Sequence, residues 1–268
     1  MRTGVLASLV VLISMSAPAA AEDQVLLHAA GSLRGALTDI ATSFEAVTGT
    51  RVKAKFGASG LLKDEIAGGA RAEVFASANM EHPQALALAK RSGPVILFAR
   101  NKLCALVRPG LAVEPATLLD RMLDPEIKLG TSTPKADPSG DYAWEVFRRA
   151  EKIKPGAYAL LDNKAHQLTG GPASPPPPAD RSIYGSLIAQ GTAGIFLTYC
   201  TGALAAQTEN PGQRIVALPD ALAVGADYGL TLMNDAPAPA LKFALFILST
   251  EGQRILTKHG FSAPGAAP

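Results

Sequence analysis

Two cysteines are all that this chain of 268 residues contains. They are too few for a zinc cage, and Cys104 and Cys200 stand too far apart for a CxxC redox pair. One disulfide, formed in an oxidising compartment, and two separately buried thiols both fit them. Runs of Lys or Arg are also lacking. With 25 basic residues against 23 acidic ones, the net charge of +2 is spread along the sequence. That distribution offers no electrostatic track for nucleic acid. The four histidines, His28, His82, His166 and His259, have no spacing typical of a metal site and read as structural or exposed. No internal repeat is evident.

Long uncharged apolar stretches are confined to one place, the N-terminus. Arg2 precedes an apolar run from Val5 to Met15, which ends in small residues up to Ala21. A basic start, a short apolar core and a small-residue end form a secretory signal, expected to be cut after Ala21. An N-terminal membrane anchor is the alternative, but the run is short for a span and Pro18 follows it closely. The mature chain is therefore expected outside the inner membrane, in the periplasm.

What is abundant is alternation of strands and helices. Val25–Ala29, Arg51–Phe56 and Glu73–Ser77 read as strands, separated by helices over Leu33–Val47 and Leu61–Ala67. In the first helix Leu33, Leu37, Ile40 and Phe44 recur at three- and four-residue steps, one apolar stripe. A third helix is expected from about Pro83 to Lys90. Val95–Phe98 and Leu103–Val107 read as two strand-like runs parted by Arg100-Asn101-Lys102. A second series follows, with a strand at Ile127–Thr131, helices at Tyr142–Ala150 and Ser182–Gln190, and a strand at Gly194–Tyr199. Four successive prolines, Pro175 to Pro178, predict a rigid extended surface loop, with a proline-recognition motif as the weaker reading. A strand at Tyr228–Met233 and closing helices from Pro237 to Thr257 return to the first series.

The fold class is therefore α/β, with two lobes, each a mainly parallel sheet flanked by helices. Lobe 1 is expected to comprise 22–100 and 229–268, and lobe 2 to comprise 101–228. The chain would cross between them near Arg100–Leu103 and Asp227–Leu230. Such a plan leaves a cleft where strands end and helices begin.

Short Gly/Ser segments recur at these junctions: Ala30-Gly31-Ser32-Leu33, Gly57-Ala58-Ser59-Gly60 and Asp137-Pro138-Ser139-Gly140. One serine at a helix start is ordinarily an N-cap. Repetition in both lobes points further, because hydroxyls and first-turn N–H groups converging on one cleft would hold an anion without a charged side chain. A tetrahedral dianion has acceptors only, so its site should present donors, and a buried carboxylate would repel it. Asp141 and Asp180, near the second-lobe junctions, are expected to face solvent, as is Arg34. A secreted serine hydrolase is the rival class. Gly57-Ala58-Ser59-Gly60 does not match GxSxG, and Ser59 and Lys63 are four apart where an SxxK pair needs three.

Several segments together carry a family resemblance. They are His28-Ala29-Ala30-Gly31-Ser32-Leu33, Phe56-Gly57-Ala58-Ser59-Gly60-Leu61-Leu62, Gly69 to Ala78, Pro138 to Ala143, Ile183-Tyr184-Gly185-Ser186-Leu187 and Thr198 to Ala203. With the ending from Gly252 to Phe261, the sequence resembles the periplasmic molybdate-binding proteins of ABC importers over nearly the whole mature chain. The resemblance implies a type II periplasmic-binding-protein fold that closes around molybdate or tungstate and delivers it to an ABC permease. It implies a monomer with no cofactor and no catalysis. It assigns the hydroxyls of Ser32 and Ser59, the backbone N–H groups of Ser139 and Ile183, and the hydroxyl of Tyr199 to the oxyanion. Read without the family pattern, Tyr199 is a core tyrosine. Ser139 stands where the family has alanine, and its hydroxyl either joins the site or caps its helix. Sulfate, another small oxyanion or an organic carboxylate is the alternative ligand.

Overall fold

The computed structural model describes residues 24–176, 178 and 181–265. The expected signal at 1–21 lies outside the described residues, as do Pro177 and Asp180. The chain begins with β1 (Gln24–Ala30), α1 (Arg34–Thr48), β2 (Arg51–Gly57), α2 (Ser59–Ala67), β3 (Val74–Ser77) and α3 (Glu81–Leu88). It continues through β4 (Ile96–Val107), α4 (Leu118–Leu123), β5 (Leu129–Ser132), α5 (Pro138–Ile153), α6 (Ala157–Lys164) and β6 (His166–Thr169). Then come α7 (Ile183–Ala189), β7 (Ile195–Tyr199), α8 (Cys200–Glu209), β8 (Arg214–Ala217), β9 (Gly225–Leu232), α9 (Ala238–Leu248) and α10 (Thr250–Lys258).

The alternation read from the sequence is present, with one correction at its centre. Val95–Phe98 and Leu103–Val107 are not separate runs: β4 is a single strand of 12 residues that includes Arg100, Asn101 and Lys102. Its first part, Ile96 to Lys102, pairs antiparallel with β9. Its second part, Leu103 to Val107, pairs with β7 and β8. One strand thus belongs to both halves of the molecule. The polar triplet that looks like a break holds partners within the strand pair, Arg100 Nε donating to Asp227 Oδ1 at 3.0 Å.

Strand order is β2-β1-β3-β9-β4-β7-β5-β6, with β8 also on β4. Pairing is parallel where β1 meets β2 and β3, and where β5 meets β6 and β7. It is antiparallel where β4 and β9 join the two halves. Strand β2 lies at one edge and carries exposed Arg51, Lys53 and Lys55, whose charges discourage pairing with another chain.

The apolar stripe of α1 packs as its spacing requires. Leu37, Ile40 and Phe44 are buried, and Phe44 meets Phe243 and Phe246 of α9 edge-on, at ring-centroid distances of 5.2 and 5.6 Å. Complete burial of such a ring is worth about 1.5–3 kcal/mol. The helix ends at Gly49, whose φ of +73° suits glycine and whose N–H closes on Glu45 O. In the second lobe Cys104 of β4 and Cys200 of α8 form a disulfide, resolving the two readings left open above.

Candidate functional site

Parallel pairing sets the first half of the site. In the β1–β2 register Ala30 stands opposite Gly57. Two residues beyond each lie Ser32, in a 3-10 turn of Gly31–Leu33 leading into α1, and Ser59, the first residue of α2. The serines therefore emerge at neighbouring strand ends. Strand β3, on the other side of β1, ends beside them, and the Ala78 N–H donates to Ser59 Oγ at 3.1 Å.

Ser32 Oγ lies 2.9 Å from Tyr228 Oη of β9. Asn101 Nδ2 of β4 donates to the same phenol oxygen at 3.3 Å and to Thr201 Oγ1 at 2.8 Å. An amide nitrogen is donor only, so the Tyr228 hydroxyl receives from Asn101 and is free to donate to Ser32. Ser32 then keeps its own proton for a further acceptor. Ser59 is in the same position, because its oxygen already receives the Ala78 N–H. Both serines are thereby poised as donors.

Lobe 2 closes the other side. Ser32, Ser59, Ile183 and Tyr199 line one cavity of about 430 Å³, together with Ala78, Asp137 and residues 201–202 at the start of α8. Tyr199 is buried, and its hydroxyl donates to Ala78 O at 3.4 Å. Tyr142 of α5 donates to the same carbonyl, also at 3.4 Å. Rings stack edge-on beneath the cavity, Tyr142 on Tyr199 at 6.2 Å and Tyr199 on Tyr228 at 5.6 Å. Burial pushes the Tyr199 and Tyr228 phenols well above their ordinary range, so both stay protonated donors. Across the cleft, the Gly60 N–H of α2 donates to Ala136 O at 2.9 Å.

Ser139 is placed differently from the other four predicted residues. It is fully buried and does not line the cavity, and its N–H donates to Asp137 Oδ1 at 3.1 Å. Its Oγ is buried with no hydrogen-bond partner among the described residues. The cap of α5 is Asp137 rather than Ser139, with Pro138 in the first turn where its missing N–H costs nothing.

Two expectations about the surroundings are corrected. Arg34 is not simply in water: it lines the cavity, its guanidinium 4.8 Å from the centre of the Phe56 ring. Asp141 is partly buried and accepts from the Lys135 N–H at 2.8 Å. Pro175 is exposed, as the expected surface loop requires, and it lines the cavity with Pro178. Sequence reasoning missed Asp137 and Tyr228. The first looks like any N-cap and the second like any strand tyrosine, so only the fold reveals what they face. Burial raises the Asp137 carboxyl to about 6, against hydrogen bonds from the Ser139 N–H and the Ser132 hydroxyl that favour the ionised form.

No group of three or more His, Cys, Asp or Glu suited to a metal ion occurs among the described residues. Among those residues, too, no helix is long and apolar enough to cross a membrane. The partners of the two serine hydroxyls are a phenol and a peptide N–H rather than an imidazole.

A cleft between two α/β lobes, joined by strands common to both and lined with donors from each, defines a solute-binding protein. The profile of the bacterial extracellular solute-binding proteins matches residues 25–262, and the chain belongs to that family. It is 33% identical to protein PM1146 of Pasteurella multocida over 234 residues, 87% of this chain and 96% of that one. It is 26% identical to the molybdate-binding protein ModA of Mycobacterium tuberculosis over 255 residues, 94% of this chain and 89% of the other. The sulfate-binding protein SubI of M. tuberculosis superposes with a TM-score of 0.75 at 16% identity, over 90% of this chain and 87% of its own. The fold is that of the type II periplasmic binding proteins, and the resemblance to molybdate-binding proteins read from the sequence holds.

Proposed function

We propose that the protein captures molybdate or tungstate in the cavity between its lobes and delivers it to an ABC permease in the inner membrane. The observation that carries this reading is that Ser32 and Ser59 line one cavity, Ser59 Oγ accepting the Ala78 N–H and Ser32 Oγ sharing a bond with a Tyr228 hydroxyl that already receives Asn101, so each serine can turn its proton to an oxyanion. Hydrogen bonds to a charged partner contribute about 1.5–3 kcal/mol each, so a handful offsets desolvation of the ion. The anion contacts are Ser32, Ser59, the N–H of Ile183 and Tyr199, whose hydroxyl turns from Ala78 O to the ligand. Ser139 acts behind them by holding Asp137. The protein works in the periplasm as a monomer and catalyses no reaction. Its lobes are 22–100 with 229–268 and 101–228, hinged at β4 and β9.

Tungstate has the charge and nearly the size of molybdate, so the same donors serve both. The likeness to ModA along most of the chain supports molybdate over sulfate, and the sulfate-binding fold neighbour makes sulfate the second reading. A thermal-shift series on the mature protein with molybdate, tungstate, sulfate and phosphate decides between them. Stabilisation by the first two alone is expected; stabilisation by sulfate alone contradicts the assignment.

A further inference from the structure

We propose that anion binding in this cavity is linked to a proton at Asp137: the occupied site holds one proton between the Asp137 carboxylate and an oxygen of the ligand. The inference rests on the oxyanion reading above and adds a specificity-determining residue to it.

Asp137 is the N-cap of α5, and that role uses one carboxylate oxygen, Oδ1, which accepts the Ser139 N–H at 3.1 Å. The rest of the group is packed against the chain at Gly170. A Cβ at that glycine would fall 2.5 Å from Asp137 Oδ2, so only glycine lets the carboxyl lie there. Asp137 keeps accessible surface, and it lines the same cavity as the hydroxyls of Ser32 and Ser59. An acceptor-only carboxylate and an acceptor-only oxyanion have nothing to exchange but repulsion. A proton placed between them turns that repulsion into a charge-assisted hydrogen bond.

Burial and the charge of Asp141 favour the protonated form of Asp137, while the Ser139 N–H and the Ser132 hydroxyl favour the ionised one. Asp141, one turn along α5, adds negative charge, while Tyr184 of α7 and Tyr199 of β7 are neutral phenols. Ser132 of β5 and Thr169 of β6 share a hydroxyl–hydroxyl bond of 2.9 Å and carry no charge. Charged or titratable groups elsewhere in the cavity lining are Arg34 of α1, Arg181 before α7, Glu209 at the end of α8 and His259 after α10. Of these, His259 is engaged with Asp39 at 2.9 Å and Arg34 with the Phe56 face.

The proton has two sources. A fully ionised ligand such as molybdate brings none, so Asp137 takes it from solvent. A hydrogen oxyanion such as monohydrogen phosphate carries its own and binds without uptake.

Calorimetric titration of the full mature protein with sodium molybdate, at pH 5.5 and pH 8 in buffers of different ionisation heat, tests this. Uptake of about one proton per molybdate is expected at pH 8, with affinity falling by up to tenfold per pH unit once the group is ionised. Asp137→Asn keeps an N-cap side chain of equal quality. It is expected to abolish both the uptake and the pH slope and to bind molybdate at pH 8 more tightly than the wild type. Asp141→Asn is expected to retain the uptake. Inorganic phosphate, where it binds, is expected to show no uptake at pH 8. Molybdate binding with a flat pH profile and no proton uptake in the wild type overturns the linkage while leaving the oxyanion reading intact. Absence of binding by molybdate, tungstate, sulfate and phosphate at pH 5.5 overturns the oxyanion reading and the linkage with it.

Discussion

The hydroxyls of Ser32 and Tyr228 lie 2.9 Å apart although 196 residues separate them in sequence. Tyr228 sits on β9, one of the two strands joining the lobes, and Ser32 on the turn after β1. The bond ties a proposed anion donor to a strand that pairs with both β3 and β4. Tyr228→Phe removes the hydroxyl partner of Ser32 and frees Ser32 to turn its proton away from the cavity. A five- to tenfold loss of molybdate affinity is expected, about 1–1.4 kcal/mol. Calorimetry checks it, and unchanged affinity means that Tyr228 serves packing alone.

Ser59→Ala deletes a donor to the anion and leaves the Ala78 N–H without its partner. The expected loss of molybdate affinity is at least about 1 kcal/mol. Wild-type affinity in this variant would remove Ser59 from the site.

The close approach of α2 to residues 135–136 passes through Gly60. Its N–H reaches Ala136 O, and a Cβ there would come within 2.4 Å of Lys135 O and 2.7 Å of Ala136 O. Those atoms are backbone and cannot swing aside. Gly60→Ala is expected to hold the lobes apart, weakening molybdate binding tenfold or more. Small-angle scattering with saturating molybdate should then give a larger radius of gyration than the wild type. Equal radii would show that the approach of α2 to residues 135–136 is not needed for closure.

The disulfide closes a long loop, with Cys104 and Cys200 separated by 96 residues. Replacing both by alanine should cost about 2–5 kcal/mol of stability. For a domain of this size that is a fall in Tm of roughly 4–20 °C. Molybdate affinity at 20 °C should be retained, because neither cysteine lines the cavity. A variant that melts like the wild type would show that the bond is dispensable.

Asp137 also gives the fold itself a pH dependence. Its carboxyl is raised from 3.8 to about 6 on folding, so between those values the native state binds more protons than the unfolded one. Without added ligand, stability contributed by the protonated group is full below about 4 and lost as pH rises through about 6. Denaturant titrations at pH 4.5 and 7 should show this decline in the wild type and a smaller one in Asp137→Asn. Parallel declines would assign the effect to other groups.

How much was legible in the sequence follows from what is local. The first βαβα series was readable because the stripe of Leu37, Ile40 and Phe44 and the short strands beside it each carry their own period. Four of the five predicted ligand residues meet in one cavity because strand–helix junctions converge in this architecture. The single strand β4 was not readable, because Arg100, Asn101 and Lys102 look like a loop until β9 supplies their partners. Strands β6 and β8, four residues each, are too short and too exposed to show a pattern. Helices α4, α6 and α8 went unread; α8 carries almost no amphipathic stripe, with Ala203 and Ala206 as its buried apolar residues. Asp137 shows the limit most clearly. Asp-Pro-Ser announces a helix start, but that the same residue lines the cavity depends on how the surrounding elements come together.

The most direct measurement is a crystal structure of the mature protein grown with tungstate, located by its anomalous scattering. One strong peak between the lobes, within hydrogen-bond reach of Ser32 Oγ, Ser59 Oγ and Tyr199 Oη, is expected. A peak elsewhere on the surface, with none beside those three hydroxyls, would contradict the account.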